Sequence, residues 1–464
     1  MHTASPYNGF RLLVPATCVT TPDTLAIELE DTLWRITDDT LGIGNVPVYT
    51  CISYSWGTGQ TANPIQPGQW MSDRVIPVLE ATIRALHPAA MWIDAFCIPA
   101  QEPARTACLR SMGAVFASAF CVIAVLSKQC SAMLDAVARL GFLDEPGLLL
   151  LETDDWPSRA WTYQELVNSK SFYFVAEGGG VTLKGMQFLS KVTTALEDYK
   201  KAHGYDSYML RTLHPRLDNL QDTIADWIMA DYSKRCAYQT MSSMDRRTAT
   251  RTDDYYYYAL AGAISAEPVS SRYQTVLEQA EYFMQLCEEK GDFSFIYSIA
   301  PRCNVPGRTW RPEVGPIRAI QPWLTSGDGQ TGSLEPGYLR LHNMCRMTRG
   351  TPTSPANLFI TKWLPEGSGD IKSGKTPEHI LMRIRQIGFV GCGDFLELED
   401  GYFFPLSTYT SIDDVFVFTA AGLRWTHGGP GLIATQDVAG LFHFLDVGVF
   451  VGILPPSGES IDLA

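Results

Sequence analysis

The chain has 464 residues, of which 46% are apolar and 19% are charged, and its formal net charge is −14. This length allows roughly two to four domains with a sizeable core, and the composition is that of a folded globular protein. The excess of negative charge argues against binding to nucleic acid or to an anionic membrane surface.

The cysteines and the apolar segments indicate a cytoplasmic protein. We expect no signal peptide, because the N-terminus lacks a basic segment followed by an apolar one, and the longest uncharged apolar run, 112–127, is too short to span a membrane. The eleven cysteines form no CxxC pair, which predicts reduced thiols. The sequence contains no cluster of cysteine and histidine, so we predict no metal site and no bound cofactor.

Strands and helices are predicted to alternate in the first 190 residues. Their apolar patterns predict strands at 23–30, 33–40, 48–57, 90–99 and 120–126, and helices at 75–88 and 102–118. This order is typical of an α/β fold in which helices flank a parallel sheet, as in flavodoxin-like proteins. Ligands of such folds bind beyond the carboxyl ends of the strands, where the sequence has Ser55, Trp56, Asp94 and Cys97.

The stretch WPSRAWTYQE, 156–165, is predicted to form a short amphipathic helix capped by Asp155 or Ser158. On such a helix Trp161 and Glu165 share a face. A carboxylate beside aromatic surface is partly desolvated, which raises its pKa and suits it to acid–base chemistry. The alternative is that Trp161 anchors the core and Glu165 is a solvated or arginine-paired surface residue.

The remainder of the chain predicts a hairpin at 171–185, a mostly helical region and then further strands. We therefore divide the chain into an α/β domain at 1–190, a helical region at 191–300, a connection at 301–335 and a smaller β-rich C-terminal domain at 336–464.

Three further features leave alternatives open. The segment GDIKSGKT, 369–376, fits the P-loop pattern, but Pro377 follows where a helix should continue, so a flexible loop is the other interpretation. Asp94 lies in an apolar run and must be hydrogen-bonded or paired, either as a site residue or as a structural one, with Arg159 as a partner in both cases. Cys97 is a nucleophile or a reduced core cysteine.

Three stretches together resemble the heterokaryon incompatibility (HET) domain of filamentous fungi. They are CISYSWG at 51–57, MWIDAFCI at 91–98 and SRAWTYQE at 158–165. Their order and spacing agree with the family, and three long blocks are more specific than one short motif. A weaker similarity extends to YALAG at 258–262 and to the strand-like segment at 442–454.

The resemblance implies a role in fungal self/non-self recognition and cell death. The HET domain is also similar to TIR domains, some of which hydrolyse NAD at the nicotinamide glycosidic bond through one glutamate. This implies a TIR-like fold, with NAD as a substrate rather than a cofactor and with Glu165 as the carboxylate that stabilises an oxocarbenium-like transition state. It further implies roles for the following residues: Asp94 as a catalytic ribose or orienting contact, Trp56 and Trp161 as aromatic walls, Arg159 as a phosphate contact, and Tyr54, Ser55, Cys97 and Gln164 as further substrate contacts.

The chain departs from the family where Asn-Gln usually follows Cys-Ile. Pro99 and Ala100 stand there, and Ala104, Ala107 and Cys108 occupy the start of the next helix, where a glutamate is common. If those polar side chains line the site of the family, this chain has lost part of it.

Three functions remain open from the sequence. The first is a HET-type cell-death protein that cleaves NAD. The second is a non-enzymatic recognition module for a protein partner in allorecognition, with self-association also open. The third is a HET-derived enzyme that cyclises or rearranges a hydrophobic metabolite in a pocket formed by Trp56, Phe96, Pro99 and Trp161. A large apolar cavity near Trp161 would favour the third function, a shallow polar cleft the first, and a filled core the second.

Overall fold

The chain forms two compact units, unit 1 at 1–233 and 247–275 and unit 2 at 234–246 and 276–464. The computed structural model describes residues 10–18, 25–37, 47–205, 207–229, 234–249, 252–265, 276–315, 317–321, 329–363, 376–408 and 414–464. The region predicted to be helical, 191–300, contributes helices to both units.

Unit 1 is built on a mixed eight-stranded sheet with the strand order β10-β9-β8-β4-β7-β1-β3-β2, while β5 and β6 form a separate pair. The strands are β1 (Leu13–Pro15), β2 (Ala26–Leu29), β3 (Thr32–Ile36), β4 (Thr50–Tyr54), β5 (Gln60–Ala62), β6 (Trp70–Ser72), β7 (Met91–Trp92), β8 (Cys121–Leu126), β9 (Phe172–Ala176) and β10 (Leu183–Lys184). The middle strands β7, β4, β8 and β9 are parallel. The predicted parallel sheet is therefore confirmed for the middle of the sheet.

The edges of this sheet are antiparallel, so the sheet as a whole is mixed rather than parallel. On one edge β2 and β3 are joined by the two-residue turn of Glu30 and Asp31, both with positive φ. Such a turn connects only antiparallel neighbours. On the other edge, β9 and β10 form the predicted hairpin, with positive φ at Gly178, Gly179 and Gly180.

Fifteen helices are found in the described residues. They are α1 (Val75–Leu86), α2 (Asp94–Cys97), α3 (Ala104–Arg110), α4 (Met112–Ser118), α5 (Ser131–Leu140), α6 (Glu145–Thr153), α7 (Ala160–Val167), α8 (Gly185–His203), α9 (Ser207–Leu213), α10 (Pro215–Met229), α11 (Ala237–Met244), α12 (Thr252–Ile264), α13 (Val276–Lys290), α14 (Ser354–Thr361) and α15 (Thr376–Gln386). In unit 1, α1 packs on β4, β8 and β9, and α7 packs on β4. The helices therefore cover the parallel part of the sheet.

The strand predicted at 90–99 is wrong beyond Trp92, because the chain turns into the short helix α2. Ile93 is extended, and its carbonyl accepts a hydrogen bond of 2.8 Å from the Cys97 amide. Asp94 occupies the first position of this helix, where a carboxylate is favourable, and it accepts the Ala95 amide. A short apolar run does not distinguish a buried strand from a buried helical turn.

The helix predicted at 102–118 is divided into α3 and α4 at Ser111. The Ser111 hydroxyl donates to the Ala107 carbonyl at 2.9 Å, a back-bonding that bends helices. Beyond the break, Gly113 lies against Gly262 on α12, and a Cβ atom at position 113 would come within 2.4 Å of the Gly262 carbonyl oxygen. This close approach of α4 and α12 therefore requires glycine.

The predicted helix around 156–165 begins later than expected and is not amphipathic. Trp156–Ser158 form a 3-10 turn, and α7 begins at Ala160 after an extended Arg159, so neither Asp155 nor Ser158 caps it. Seven of its eight residues are buried. The reason is that β4, α4, α10 and α12 surround α7.

Unit 2 contains the predicted β-rich region as an eight-stranded sheet. Its strands are β11 (Gly332–Glu335), β12 (Tyr338–Met347), β13 (Leu396–Leu398), β14 (Gly401–Pro405), β15 (Phe416–Ala420), β16 (Gly428–Gln436), β17 (Phe442–Gly452) and β18 (Glu459–Leu463). The strand order is β11-β12-β15-β16-β17-β14-β13, and β18 pairs with both β12 and β17. The helices α11, α13, α14 and α15 belong to this unit.

Candidate functional site

A cavity of about 180 Å³ opens beyond the carboxyl ends of the parallel strands of unit 1. It lies where β4, the first parallel strand in the chain, has β7 on one side and β8 on the other. Connections that leave a strand in opposite directions create a crevice in which α/β proteins bind ligands. The cavity is lined by Tyr54, Trp56, Asp94, Ile98, Arg105, Leu109, Met112, Arg159, Trp161, Thr162 and Glu165.

Glu165 is the buried carboxylate of this cavity. It lies on α7 with 8% of its surface exposed, and its Oε2 accepts a hydrogen bond of 2.5 Å from the Ser53 hydroxyl on β4. The pKa of Glu165 is raised to about 8. Burial is the main cause, the Ser53 hydrogen bond opposes it, and the charges on Asp94 and Arg159 raise and lower the pKa respectively. A carboxyl with this pKa exchanges protons near neutral pH, as acid–base chemistry requires.

Asp94 is half-buried, and both of its carboxylate oxygens are hydrogen-bonded within unit 1. Oδ1 accepts the Tyr54 hydroxyl at 2.8 Å and the Ala95 amide at 2.7 Å, and Oδ2 accepts the Trp56 indole N–H at 2.6 Å. Burial raises the pKa of Asp94, while the three donated bonds and the charge on Arg159 lower it. Three bonds use three of about four acceptor positions of a carboxylate, so Asp94 mainly fixes the side chains of Tyr54 and Trp56.

Two indoles form aromatic walls of the cavity. Trp56 is half-buried and is held at its indole N–H by Asp94 and at its carbonyl by the Ser72 hydroxyl. Trp161 is half-buried on α7. Next to it, the Thr162 hydroxyl donates to the Trp156 carbonyl at 2.6 Å, which ties the start of α7 to the preceding 3-10 turn. Hydrogen bonds therefore hold the Trp56 side chain and the backbone next to Trp161 in place.

Two arginines bring positive charge to the same cavity. Arg159 lies between Ser158 and Ala160, whose carbonyl and amide bond the Thr248 backbone at 2.8 and 2.9 Å. Arg105 lies in the first turn of α3, where one guanidinium nitrogen is 4.0 Å from a Glu102 carboxylate oxygen. A guanidinium presents donors in a geometry that suits phosphate, so the cavity combines carboxylates, aromatic walls and anion-binding groups.

Six of the nine residues predicted as site residues line the cavity: Tyr54, Trp56, Asp94, Arg159, Trp161 and Glu165. The other three do not. Ser55 is buried beside Arg74, which donates to both its carbonyl and its hydroxyl. Cys97 is fully buried, and burial raises the pKa of its thiol to about 12, which leaves it protonated rather than nucleophilic at neutral pH. Gln164 is fully buried on α7, close to Gly262.

Several lining residues were not predicted from the sequence: Ile98, Arg105, Leu109, Met112 and Thr162. Arg105, Leu109 and Met112 are spaced at i, i+4 and i+7 in the segment predicted as one helix, so they share a face, and this periodicity was the available signal. Ser53 was not among the predicted site residues, although its hydroxyl donates a hydrogen bond to Glu165. Phe96 and Pro99, expected in an apolar pocket, are buried but do not line the cavity.

The other predicted features contribute little to a site. The P-loop-like segment lies outside the described residues except for Thr376, the first residue of α15. Within the described ranges, no group of three or more histidine, cysteine or acidic side chains is arranged to hold a metal ion. In that same part of the chain, every helix is too short or too polar to cross a bilayer.

The fold and the cavity together define a mixed α/β protein with a cavity beyond the carboxyl ends of its parallel strands. Residues 49–145 match the family described as Heterokaryon incompatibility protein (HET), so this segment is similar to a HET domain. The match includes Tyr54, Trp56 and Asp94 but ends before Arg159, Trp161 and Glu165. No curated protein and no solved structure matches the chain.

Proposed function

We propose that unit 1 cleaves NAD at the nicotinamide glycosidic bond and that this activity serves the cell-death response of a HET-family protein. The observation that carries the proposal is the environment of Glu165. A buried carboxylate lines a cavity between two indoles and beside two arginines, and these are the groups needed to bind a nucleotide and to stabilise a cationic sugar.

In the proposed reaction, the bond between C1′ of the ribose and N1 of nicotinamide breaks. Its electron pair moves to the ring nitrogen, which makes the leaving nicotinamide neutral. Positive charge develops on C1′ and the ring oxygen, and the ionised Glu165 stabilises it. A water oxygen then bonds to C1′, and the water proton passes to Glu165 and on to solvent, so that ADP-ribose is the second product.

The size of the cavity agrees with one ring of the substrate rather than with the whole dinucleotide. An engineered protein cavity of about 150 Å³ holds one benzene molecule, and this cavity measures about 180 Å³. We propose that nicotinamide enters between Trp56 and Trp161, whose π faces attract a cationic ring. The diphosphate then remains nearer the mouth of the cavity, where Arg159 or Arg105 binds it.

The strand order of the parallel strands supports the TIR-like part of the proposal. Counted along the chain as β4, β7, β8 and β9, the strands lie in the order 2-1-3-4, which is the beginning of the flavodoxin-like order. The antiparallel strands β1, β3 and β2 extend this arrangement beyond β7. We therefore propose that unit 1 is a TIR-like domain with an added antiparallel edge.

Nicotinamide release from NAD tests the proposal. Purified wild-type protein is incubated with NAD, with Glu165→Gln as the variant that removes the carboxylate and keeps its shape. Glu197→Gln, on the exposed side of α8 beside Lys200, is the matched control. We expect release by the wild type and by Glu197→Gln, and a loss of at least about a hundredfold in Glu165→Gln. Equal release by Glu165→Gln and the wild type would contradict the role of Glu165.

The apolar part of the wall favours a second candidate function. Ile98, Leu109 and Met112 line the cavity together with the indoles, and such a surface suits a hydrophobic metabolite. We propose cyclisation or rearrangement of such a compound as the alternative activity. Thermal stabilisation of the protein by hydrophobic metabolites, without any stabilisation by NAD, would favour this alternative.

The cavity also bears on the remaining possibility, a non-enzymatic recognition module. A filled core around Trp161 would favour a module in which these residues only maintain the fold. An open cavity with a buried carboxylate favours a site for ligand chemistry instead. We propose a cytoplasmic protein that meets an allorecognition partner. Overexpression in a fungal host tests the biological role: NAD depletion and growth arrest with the wild type, and neither with Glu165→Gln, are the expected results.

A further inference from the structure

Behind the cavity of unit 1, three side chains form a hydrogen-bonded relay. The Trp156 indole N–H donates to the Ser53 hydroxyl oxygen at 2.8 Å, and the Ser53 hydroxyl lies 2.5 Å from Oε2 of Glu165. Ser53 is completely buried and Trp156 is nearly so. The relay joins β4, the 3-10 turn before α7, and α7 itself.

The chemistry of the three groups fixes the direction of each bond. An indole N–H only donates, so Ser53 must accept from Trp156 with one of its lone pairs. The single hydroxyl proton of Ser53 is then free to point to Glu165. Oε2 is therefore the acceptor in both protonation states of Glu165, and a proton carried by the carboxyl belongs on Oε1.

We infer that Ser53 is a positioning residue for the reaction proposed above. Its hydroxyl donates to Oε2 of Glu165 and so leaves Oε1 as the oxygen that meets the ligand. Trp156 acts one step further away by directing the Ser53 hydroxyl. The inference rests on the proposed function, because Oε1 matters only if Glu165 reacts. It assigns the relay a role that the HET match does not state.

The position of a carboxyl group matters because a misplacement of about 1 Å costs on the order of a hundredfold in rate. Glu165 has two rotatable bonds beyond Cβ, and without the relay it would choose among several orientations. The charged groups that act on it are Asp94 at the start of α2 and Arg159 before α7. Ser53 supplies the directional contact, since a hydrogen bond depends on angle and a distant charge does not.

Four variants test the relay: Ser53→Ala, Trp156→Phe, the double variant, and Ser169→Ala. Ser169 is a buried serine after α7, whose hydroxyl donates to the Leu166 carbonyl and which does not line the cavity, so it is the matched control. We expect Ser53→Ala to lower kcat about 10- to 100-fold with much less change in KM, as for the loss of a charge-assisted hydrogen bond. Ser169→Ala should keep the wild-type kcat.

The double variant separates positioning from simple damage to the core. If Trp156 acts through Ser53, Trp156→Phe lowers kcat in the wild-type background and has no further effect on kcat in the Ser53→Ala background. The same double variant also avoids the unpaired buried N–H that Ser53→Ala alone leaves on Trp156, so it remains informative if Ser53→Ala folds poorly. Independent, multiplying losses from the two substitutions would overturn the relay.

A second readout does not depend on activity. The Ser53 bond lowers the pKa of Glu165, so its removal should extend the pH range over which the free energy of unfolding falls to higher pH. In an active protein, the acid limb of the pH profile of kcat/KM should shift in the same direction. If the wild type releases no nicotinamide, the proposed function fails and the stability readout still decides whether Ser53 holds Glu165. If the wild type is active and Ser53→Ala leaves kcat and both pH profiles unchanged, the inference about Ser53 fails and the proposed function stands.

Discussion

Replacement of Glu165 by glutamine removes a titrating group from the interior of unit 1 without a change in shape. The glutamine oxygen can still accept the Ser53 hydroxyl, so packing and hydrogen bonding are preserved. What changes is the free energy of ionisation. The folded protein binds the Glu165 proton with a pKa of about 8, against an ordinary value of 4.5.

The sign of the effect follows from the proton balance. Between these two pKa values the folded state keeps the Glu165 proton and the unfolded state loses it, so the free energy of unfolding falls as pH rises. The stability that the raised pKa confers is complete below pH 4.5 and is lost by the time the pH has passed 8. About 3.5 pKa units at 1.36 kcal/mol per unit give a total of about 5 kcal/mol, with about 3 kcal/mol already lost near neutral pH.

Glu165→Gln lacks this ionisation and should therefore be more stable than the wild type at alkaline pH. Urea unfolding followed by circular dichroism, at several values between about pH 5 and about pH 9, measures the difference. We expect similar unfolding free energies near the acid end and a variant more stable by several kcal/mol near the alkaline end. Glu197→Gln should follow the wild-type curve throughout.

Parallel stability curves for Glu165→Gln and the wild type would refute this reasoning. They would mean that the Glu165 carboxyl ionises in the folded protein as easily as in the unfolded chain, and therefore that water reaches it freely. The same result would remove the physical basis for a poised carboxylate in the cavity. A large gain on substitution, in contrast, is the expected signature of a group retained for chemistry at the expense of stability.

Two further predictions concern the same cavity. Asp94→Asn puts an amide where Oδ2 accepts the Trp56 indole N–H, so one of two facing donors is left unpaired at a cost of about 1–3 kcal/mol. We expect KM for NAD to rise about tenfold or more. An unchanged KM would mean that Asp94 does not hold the Trp56 wall of the cavity. For the wild type, kcat/KM for NAD should rise with pH up to about 8, since the ionised form of Glu165 is required, and a flat profile between about pH 6 and about pH 9 would contradict that requirement.

The sequence predicted most of the cavity because its residues follow strands and helices whose apolar patterns are strong. Trp56 follows from the end of a predicted strand, Tyr54 from the family resemblance, and Trp161 and Glu165 from their four-residue spacing. Cys97 was misplaced because the predicted strand continued to residue 99. Once α2 replaces that strand, the Cys97 side chain turns back and its sulfur accepts the Ile93 amide.

Contacts between distant segments were beyond the reach of the sequence. Ser53 and Glu165 are 112 positions apart, and no local pattern indicates that their side chains meet. Ser55, which follows the end of β4, is paired with Arg74 instead, and what packs against each of the two serines decides which one meets Glu165. The antiparallel pairing of β1 with β7 was missed for a similar reason, since it joins segments far apart in the chain.

The residues that depart from the HET pattern after Ile98 lie next to the cavity but do not line it. Ile98 lines the cavity, and its carbonyl accepts the Gln66 side-chain amide at 2.9 Å, which fixes the backbone where the family has Asn-Gln. Pro99 is buried and Ala100 is exposed, and neither lines the cavity.

On α3, the lining residues are Arg105 and Leu109, whereas Ala104, Ala107 and Cys108, the residues that depart from the family, do not line the cavity. The residues that depart from the family therefore lie outside the walls of the cavity. Glu165 lies beyond the matched segment, so nicotinamide release by Glu165→Gln tests the proposed function at the residue on which it depends.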